Sequence, residues 1–536
     1  MKQVCLGICL NILLLAYGAA PAAPYPGCAA PAESEFRLTT IVTRQAGNLN
    51  EPLKLAFDMA DPSKPDIYFV EKGGNLRKYD AATQAVTTLG KISVHVQDEY
   101  GLMGIVLDPQ FKTNKNLYVL YMPNQAQIEL RISRFTLAGN TLDMNSEKIM
   151  IHFNAATGWH GGGGMAFDGN GNLWVGVGDT RAGEVAAPNT NDLRGKILRI
   201  HPEPDGSYTI PAGNLFPPNT AKTRPEIYIM GSREPYTLAI DPKTNWMVWS
   251  DVGPDGFGVT EEYDIAVKPY NAGFPYFAGN NKLLTRGDGI HSTPGDENPV
   301  KPYNKSAENT GLTDLPPAIA ASYAYPEACG MTGPVYRYNY IPNSPTKMPP
   351  QFDGLWFVGD FNTNQLDTLE LDANGAPQKF GRLFPNLKIN RITDFKVGPD
   401  GAFYLMNYAG NYGTVDATAI VRIEYTGTCR PDVQPPTAIR NPGNAGDSGD
   451  GPGAGSGRAV EADAIALSGM RLEIRRGGES MLRVWQPDGK VLCERKVRGG
   501  DAIDLAGALG NRRGLYAVAV SAAGMIAAPK LMLLAP

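Results

Sequence analysis

The sequence predicts an all-β chain: a six-bladed β-propeller over residues 28–430, then a linker over 431–457 and a small C-terminal β-sandwich-like domain over 458–536. Three observations lead there. Amphipathic helical periodicity is scarce throughout the chain. A unit recurs about six times, consisting of a turn rich in Asp, Gly or Asn, an apolar and aromatic run, and a second run ending near an Arg. After Pro431 the composition shifts to "PDVQPPTAIRNPGNAGDSGDGPGAGSG", a stretch that cannot build a core and reads as a flexible linker.

The repeats are "PDIYFVEKGGNLRKYD" from Pro65, "KNLYVLYMP" from Lys115, "DGNGNLWVGVGD" from Asp168, "DPKTNWMVWSDVGPD" from Asp241, "DGLWFVGDFNTNQL" from Asp353 and "GPDGAFYLMNYAG" from Gly398. Tyr68, Tyr118, Trp174, Trp249, Trp356 and Tyr404 mark them. A unit this small cannot bury its own apolar face, so neighbours must stack around a ring, and the shared turn chemistry favours this over a plain β-sandwich. The long gap between Trp249 and Trp356 holds strands plus an irregular insertion around Asn280 to Pro316.

At the N-terminus, "MKQVCLGICLNILLLAYGAAPAAPYPGC" has a lysine, an apolar run from Val4 to Tyr17 and an Ala20-Pro21-Ala22 cleavage site. It reads as a secretory signal peptide over residues 1–22. No later segment reaches the roughly 18 to 20 apolar residues of a membrane span, so a soluble, exported protein is expected. Removal of Cys5 and Cys9 leaves Cys28, Cys329, Cys429 and Cys493 in an oxidising compartment, with spacings that match no zinc motif. Cys28 precedes the first repeat and Cys429 follows the last, so a bridge between them would close the ring. The C-terminal segment offers short alternating strands and an Asp-Gly hairpin at Asp488 and Gly489. Its 12 basic and 8 acidic residues make it mildly basic on a chain of formal charge −5. No Lys/Arg block is dense enough to grip a phosphate backbone, which argues against a nucleic-acid partner.

The chemistry gathers around "TGWHGGGG" from Thr157, where one of five histidines, His160, precedes four glycines. Nineteen residues on, "GVGD" leaves Asp179 where the chain exits a strand, placed so that a hairpin can return its carboxylate to the imidazole. A carboxylate on one ring nitrogen fixes the tautomer and leaves the other nitrogen as a base. Alone this pair is a weak signal, and a solitary histidine is more often a satisfied structural group. Arg233 sits on a Gly-flanked loop in "IMGSREPYTLAI", where a surface arginine is the plain alternative. "SDVGPDG" offers the carbonyls of Gly253 and Pro254 to a hard cation, although most Gly-Pro turns bind nothing.

Six ordered motifs, "EYGLMGIVLDPQF", "WHGGGGMAFDGNGNLWVGVGD", "NDLRGKILRI", "PEIYIMGSREPYTLAIDP", "SDVGPDG" and "NAGFPY", resemble the soluble pyrroloquinoline quinone (PQQ) dependent glucose and aldose-sugar dehydrogenases, from about Glu35 to Tyr425. The resemblance implies a six-bladed propeller that binds PQQ and calcium and oxidises an aldose or oligosaccharide at C1 to a lactone. It implies His160 as general base, Asp179 as the carboxylate orienting it and Arg233 as the cation beside the quinone, with calcium on the Gly253 and Pro254 carbonyls. Glu99, Trp159, Arg233, Glu234, Asn362, Arg391 and Thr393 fall at cofactor-contact positions, and the glycines would leave room for a flat tricycle and a sugar.

The chain departs from the family pattern where Phe361 and Asn362 stand in place of a frequent lysine, and at three further positions: Glu234 stands where Asn is usual, Glu99 where Gln is frequent, and Thr393 where a second arginine is expected. These favour the alternative of a non-catalytic propeller binding a glycan or protein partner, as the similar hedgehog-interacting proteins do. No Cys-x-x-Cys-His haem motif is present, so electrons would pass to an external acceptor, a cytochrome or a quinone. The C-terminal domain resembles the sorting domains of type IX secretion, with a carbohydrate-binding or spacer module as alternative.

Overall fold

An aspartate in the turn after a blade's inner strand anchors three of the six recurring aromatics, Tyr118, Trp174 and Tyr404. Asp168 accepts the Trp174 indole N–H at 3.0 Å and the backbone N–H groups of Asn170 and Asn172 at 2.9 Å. Asp108 accepts the Tyr118 hydroxyl and Asp400 the Tyr404 hydroxyl, each at 3.0 Å. One carboxylate thus closes the turn and satisfies the polar tip of a ring whose body is buried between blades. All six marker aromatics lie on the second strand of their blade.

The computed structural model describes residues 28–431 apart from 60–63, 156–157, 255–259, 285–297, 326–328 and 411–412, and beyond them eight strands between 465 and 534. The chain divides into two units, residues 1–439 and 440–536. In the first, six sheets form a β-propeller, antiparallel except where Ile227–Met230 pairs parallel with Tyr270–Asn271 in the third. Its inner strands are Pro52–Phe57, Leu102–Leu107, Met165–Phe167, Thr237–Ile240, Gly330–Val335 and Ile392–Val397, each packed against the next, with the last returning to the first. They are mostly buried, as strands lining the axis of a ring must be. Among the described residues helix is confined to single turns such as Arg44–Gly47 and Phe111–Asn114.

The sixth sheet is completed from the other end of the chain. Phe36–Thr43 pairs antiparallel with Ala419–Tyr425, Phe36 opposite Tyr425 and Thr43 opposite Ala419. Just outside this seam Cys28 is bonded to Cys429 with a Cα–Cα distance of 5.7 Å, the pairing expected from their positions around the repeats. A crosslink spanning so long a loop stabilises mainly by restricting the unfolded chain, by roughly 2–5 kcal/mol. Cys329 is a free thiol.

In the insertion between the third and fourth strands of blade four, Glu261–Ala266 and Tyr323–Tyr325, Phe277–Ala278 pairs with Lys282–Leu283. The second unit contains a sheet of Ile465–Ser468, Arg471–Ile474 and Ala502–Asp504, and another around Glu479–Trp485, Val491–Arg498 and Gly514–Ala522. Trp485 faces Val491 across the hairpin whose Asp488-Gly489 turn lies outside the described residues. The signal-peptide segment and most of the linker also lie outside them. Among the described residues no helix is long and apolar enough to cross a membrane.

Candidate functional site

Four turns from two consecutive blades, three and four, are tied together at one end of the ring. His160 lies in the segment leading into Met165–Phe167, and Asp179 follows Leu173–Val177. Arg233 and Glu234 lie between Ile227–Met230 and Thr237–Ile240, while Asp251 ends Met247–Asp251. The His160 Nδ1 is 2.6 Å from Asp179 Oδ1, with both side chains buried. A carboxylate accepts from a ring N–H, which assigns the proton to Nδ1 and leaves Nε2 as the basic nitrogen. The backbone closes the same circuit: the Asp179 N–H donates to the Arg233 carbonyl at 2.8 Å and the Thr180 N–H to the His160 carbonyl at 3.1 Å.

Asp251 holds the Arg233 loop by accepting the N–H groups of Arg233 and Glu234 at 2.8 and 2.6 Å. Burial pushes the Asp251 carboxyl up to about 7 against the pull of these two donors. The Arg233 guanidinium reaches the Val252 carbonyl at 3.0 Å. Glu99, just ahead of blade two, accepts the His160 N–H at 2.7 Å, and Glu234 accepts the Gly162 N–H at 2.9 Å. Burial, and after it the charge of Glu99, holds the Glu234 carboxyl well above the usual carboxylate range.

The glycines allow a close approach of the turn to its neighbours. All four are buried, and a Cβ at Gly161 would overlap the Met103 sulfur, at Gly162 the Gly176 carbonyl, and at Gly163 would come within 2.7 Å of the Met103 carbonyl. Gly162 and Gly163 have φ of +80° and +142°. They let the His160 turn press against the backbone of blades two and three.

Trp159 precedes the histidine, and the Arg181 guanidinium lies 5.4 Å from its ring. Asn362 and Arg391 belong to a second group. Asn362 follows Leu355–Asp360 and donates its N–H to Asp360 at 2.8 Å, while Arg391 stacks 5.4 Å from the Phe361 ring. Thr393, on the inner strand of blade six, is joined to the Arg233 loop through Lys54. The Lys54 Nζ donates to the Tyr236 and Thr393 carbonyls at 2.8 and 2.9 Å and lies 3.4 Å from the Tyr236 ring centroid. Gly253 and Pro254 follow Asp251 after one intervening residue, Val252, and the Gly253 N–H donates to Glu261 at 3.1 Å. Among the described residues no group of three or more His, Cys, Asp or Glu side chains forms a metal site.

Lys54 and Asp251 were not among the residues expected at the site. Asp251 was within reach of the sequence reading, since it opens the "DVGPDG" turn. The signal for Lys54 is a lysine inside the otherwise apolar strand "PLKLAF". It is 3% exposed, and burial pushes its ammonium down to about 7, with Asp394 opposing.

The family described as Glucose / Sorbosone dehydrogenase matches residues 49–323. The aldose sugar dehydrogenase YliI of Escherichia coli is 23% identical over 369 residues, covering 67% of this chain and 87% of that protein. Among solved structures, a putative oxidoreductase (glucose dehydrogenase) of Thermus thermophilus superposes with a TM-score of 0.54 at 23% identity, over 72% of this chain and 99% of the other. The PQQ-bound form of an aldose sugar dehydrogenase from Streptomyces coelicolor gives 0.50 at 20% identity, over 73% and 98%.

Proposed function

The chain belongs to the glucose/sorbosone dehydrogenase family, and from that premise we propose that it is a secreted dehydrogenase using PQQ and calcium to oxidise the C1 hydroxyl of an aldose or oligosaccharide to a lactone. One observation carries this reading: a buried imidazole, 2.6 Å from a carboxylate through Nδ1, lies on a turn tied by its backbone to an arginine loop.

The residues present suit such a cofactor. Glu234 Oε2 and Thr393 Oγ1 are buried polar atoms with no hydrogen-bond partner among the described residues, as expected of groups reserved for a polar ligand. Arg391 would hold a carboxylate of the cofactor and Arg233 would lie beside its quinone carbonyl, Glu99, Trp159, Glu234, Asn362 and Thr393 would surround it, and the Gly253 and Pro254 carbonyls would hold calcium. When bound, PQQ supplies the two-electron acceptor that takes a hydride from C1. His160 Nε2 removes the hydroxyl proton, and Asp179 keeps the imidazole in the right tautomer and stabilises the imidazolium that results. Arg233 contributes positive charge where negative charge develops. An external cytochrome or quinone then carries the electrons away. The disulfide between Cys28 and Cys429 supports an extracellular or periplasmic location. The C-terminal unit would serve secretion sorting or carbohydrate attachment.

A second reading, a propeller of the same descent that binds a glycan or protein without redox chemistry, is favoured by the two carboxylates Glu99 and Glu234 beside a site meant for a polyanion. Purified apo-protein given PQQ and calcium, then a dye acceptor and a panel of sugars, separates the two. Sugar-dependent dye reduction supports the dehydrogenase; no reduction together with no quinone binding by titration supports the second reading.

A further inference from the structure

Two carboxyl groups grip one turn from separate loops. Glu99 comes from the segment before blade two and takes the His160 N–H; Glu234 comes from the loop entering blade four and takes the Gly162 N–H. Glu234 is 6% exposed. Its Oε1 is engaged by Gly162, whereas its Oε2 lies buried with no partner among the described residues. Gly178 makes room for that oxygen, since a Cβ there would crowd both the His160 carbonyl and Glu234 Oε2. A buried carboxylate left with an open oxygen is costly, and a neutral carboxylic acid in the same place costs far less while holding an O–H ready for a ligand.

The charges around it point the same way. Glu99 and Asp179 face Glu234 from blades two and three, and Arg233 precedes it on its own loop. Asp251 of blade four accepts its backbone N–H. Tyr100, Tyr236 and Cys329 also lie within electrostatic reach. Lys54 of blade one is the buried ammonium nearby, but it spends donors on the Tyr236 and Thr393 carbonyls.

We propose that Glu234 is a neutral carboxylic acid whose Oε2–H donates a hydrogen bond to a carbonyl or carboxylate oxygen of the ligand bound beside His160, so that Glu234 sets an upper pH limit on binding an anionic ligand. This rests on the function proposed above for the identity of that ligand as PQQ. Burial and the neighbouring Glu99 charge both keep the proton on Glu234. Once pH rises through its ionisation, the donor is replaced by a negative charge, and affinity falls by about tenfold per pH unit. Below that point affinity is constant. The acid thereby performs the donor role of an amide, but conditionally.

The test has two arms. Infrared spectra of the apo-protein near neutral pH should contain a carboxylic-acid C=O band that Glu234→Gln removes and Glu99→Gln retains. Equilibrium titration with PQQ and calcium from about pH 6 to about pH 9 should give a steeper fall of affinity for the unaltered protein than for Glu234→Gln, whose amide donates at every pH and which keeps only the pH dependence of Lys54 and Asp251. A spectrum unchanged by Glu234→Gln, or parallel pH profiles for the two proteins, would overturn the proposal. If PQQ binds at no pH, the dehydrogenase reading falls, and the infrared band alone decides for or against a protonated Glu234.

Discussion

The His160 Nδ1 stands 2.6 Å from Asp179 Oδ1, and the two residues are bound a second time through Thr180, whose N–H donates to the His160 carbonyl. An imidazole fixed in this way has one nitrogen left for chemistry. His160→Ala should lower kcat by about 10²–10⁴-fold while leaving PQQ affinity nearly unchanged, because a base acts mainly in the transition state. Asp179→Asn should lower kcat as well, with little change in KM. Steady-state kinetics beside a binding titration check both, and a large loss of quinone affinity in His160→Ala would assign that side chain to binding instead.

Gly162 is the position at which the turn is least tolerant. Its φ of +80° strains any L side chain, and a Cβ would run into the Gly176 carbonyl. Gly162→Ala should destabilise the propeller by more than the roughly 1–3 kcal/mol of backbone strain alone. Gly139→Ala shares a positive φ, +65°, but meets nothing within 4 Å, so it should cost the strain only. Urea unfolding of the two variants makes the comparison, and equal losses would contradict the packing role given to Gly162.

Lys54 makes a pH-dependent contribution whose sign follows from its burial. Its folded-state pKa is depressed from an ordinary 10.5 to about 7, so between those values the unfolded chain binds more protons than the folded one. Stability therefore rises with pH across that window for this group. Relative to Lys54→Met, the unaltered protein should gain unfolding free energy as pH increases from about 7 to about 10. Urea midpoints of both proteins over that range measure the difference, and a constant gap would mean that Lys54 stays charged in place.

Much of this was legible in the residues because it is local. The aspartate, turn and aromatic of each repeat lie within about ten positions, as Asp168 and Trp174 show, and a repeated local signal suffices to count six blades. His160 and Asp179 sit at the two ends of one hairpin, and Cys28 and Cys429 bracket the repeats. The rest depends on closure of the ring. The strand Phe36–Thr43 completes blade six across nearly the whole propeller, with nothing in its sequence naming that partner. Lys54 bonds to carbonyls 182 and 339 residues away, so only the assembled channel shows why a lysine interrupts "PLKLAF". The Gly161–Gly164 run carries a pattern suited equally to open space and to tight backbone contact, and only the assembled blades show the contact.

Ring closure has its own test. Cys28→Ser paired with Cys429→Ser should lower the unfolding free energy by roughly 2–5 kcal/mol while the fold survives, since the seam between Phe36–Thr43 and Ala419–Tyr425 remains. Urea titration with circular dichroism reads the loss, and unaltered stability would show the crosslink to be incidental.

The most direct measurement of the central claim is the absorption spectrum of protein-bound PQQ under anaerobic conditions before and after addition of an aldose. The account predicts that the oxidised-quinone absorption disappears in the unaltered protein and persists in His160→Ala, which still binds the quinone. Failure of PQQ to bind, or equal loss of the oxidised spectrum in both proteins, would contradict it.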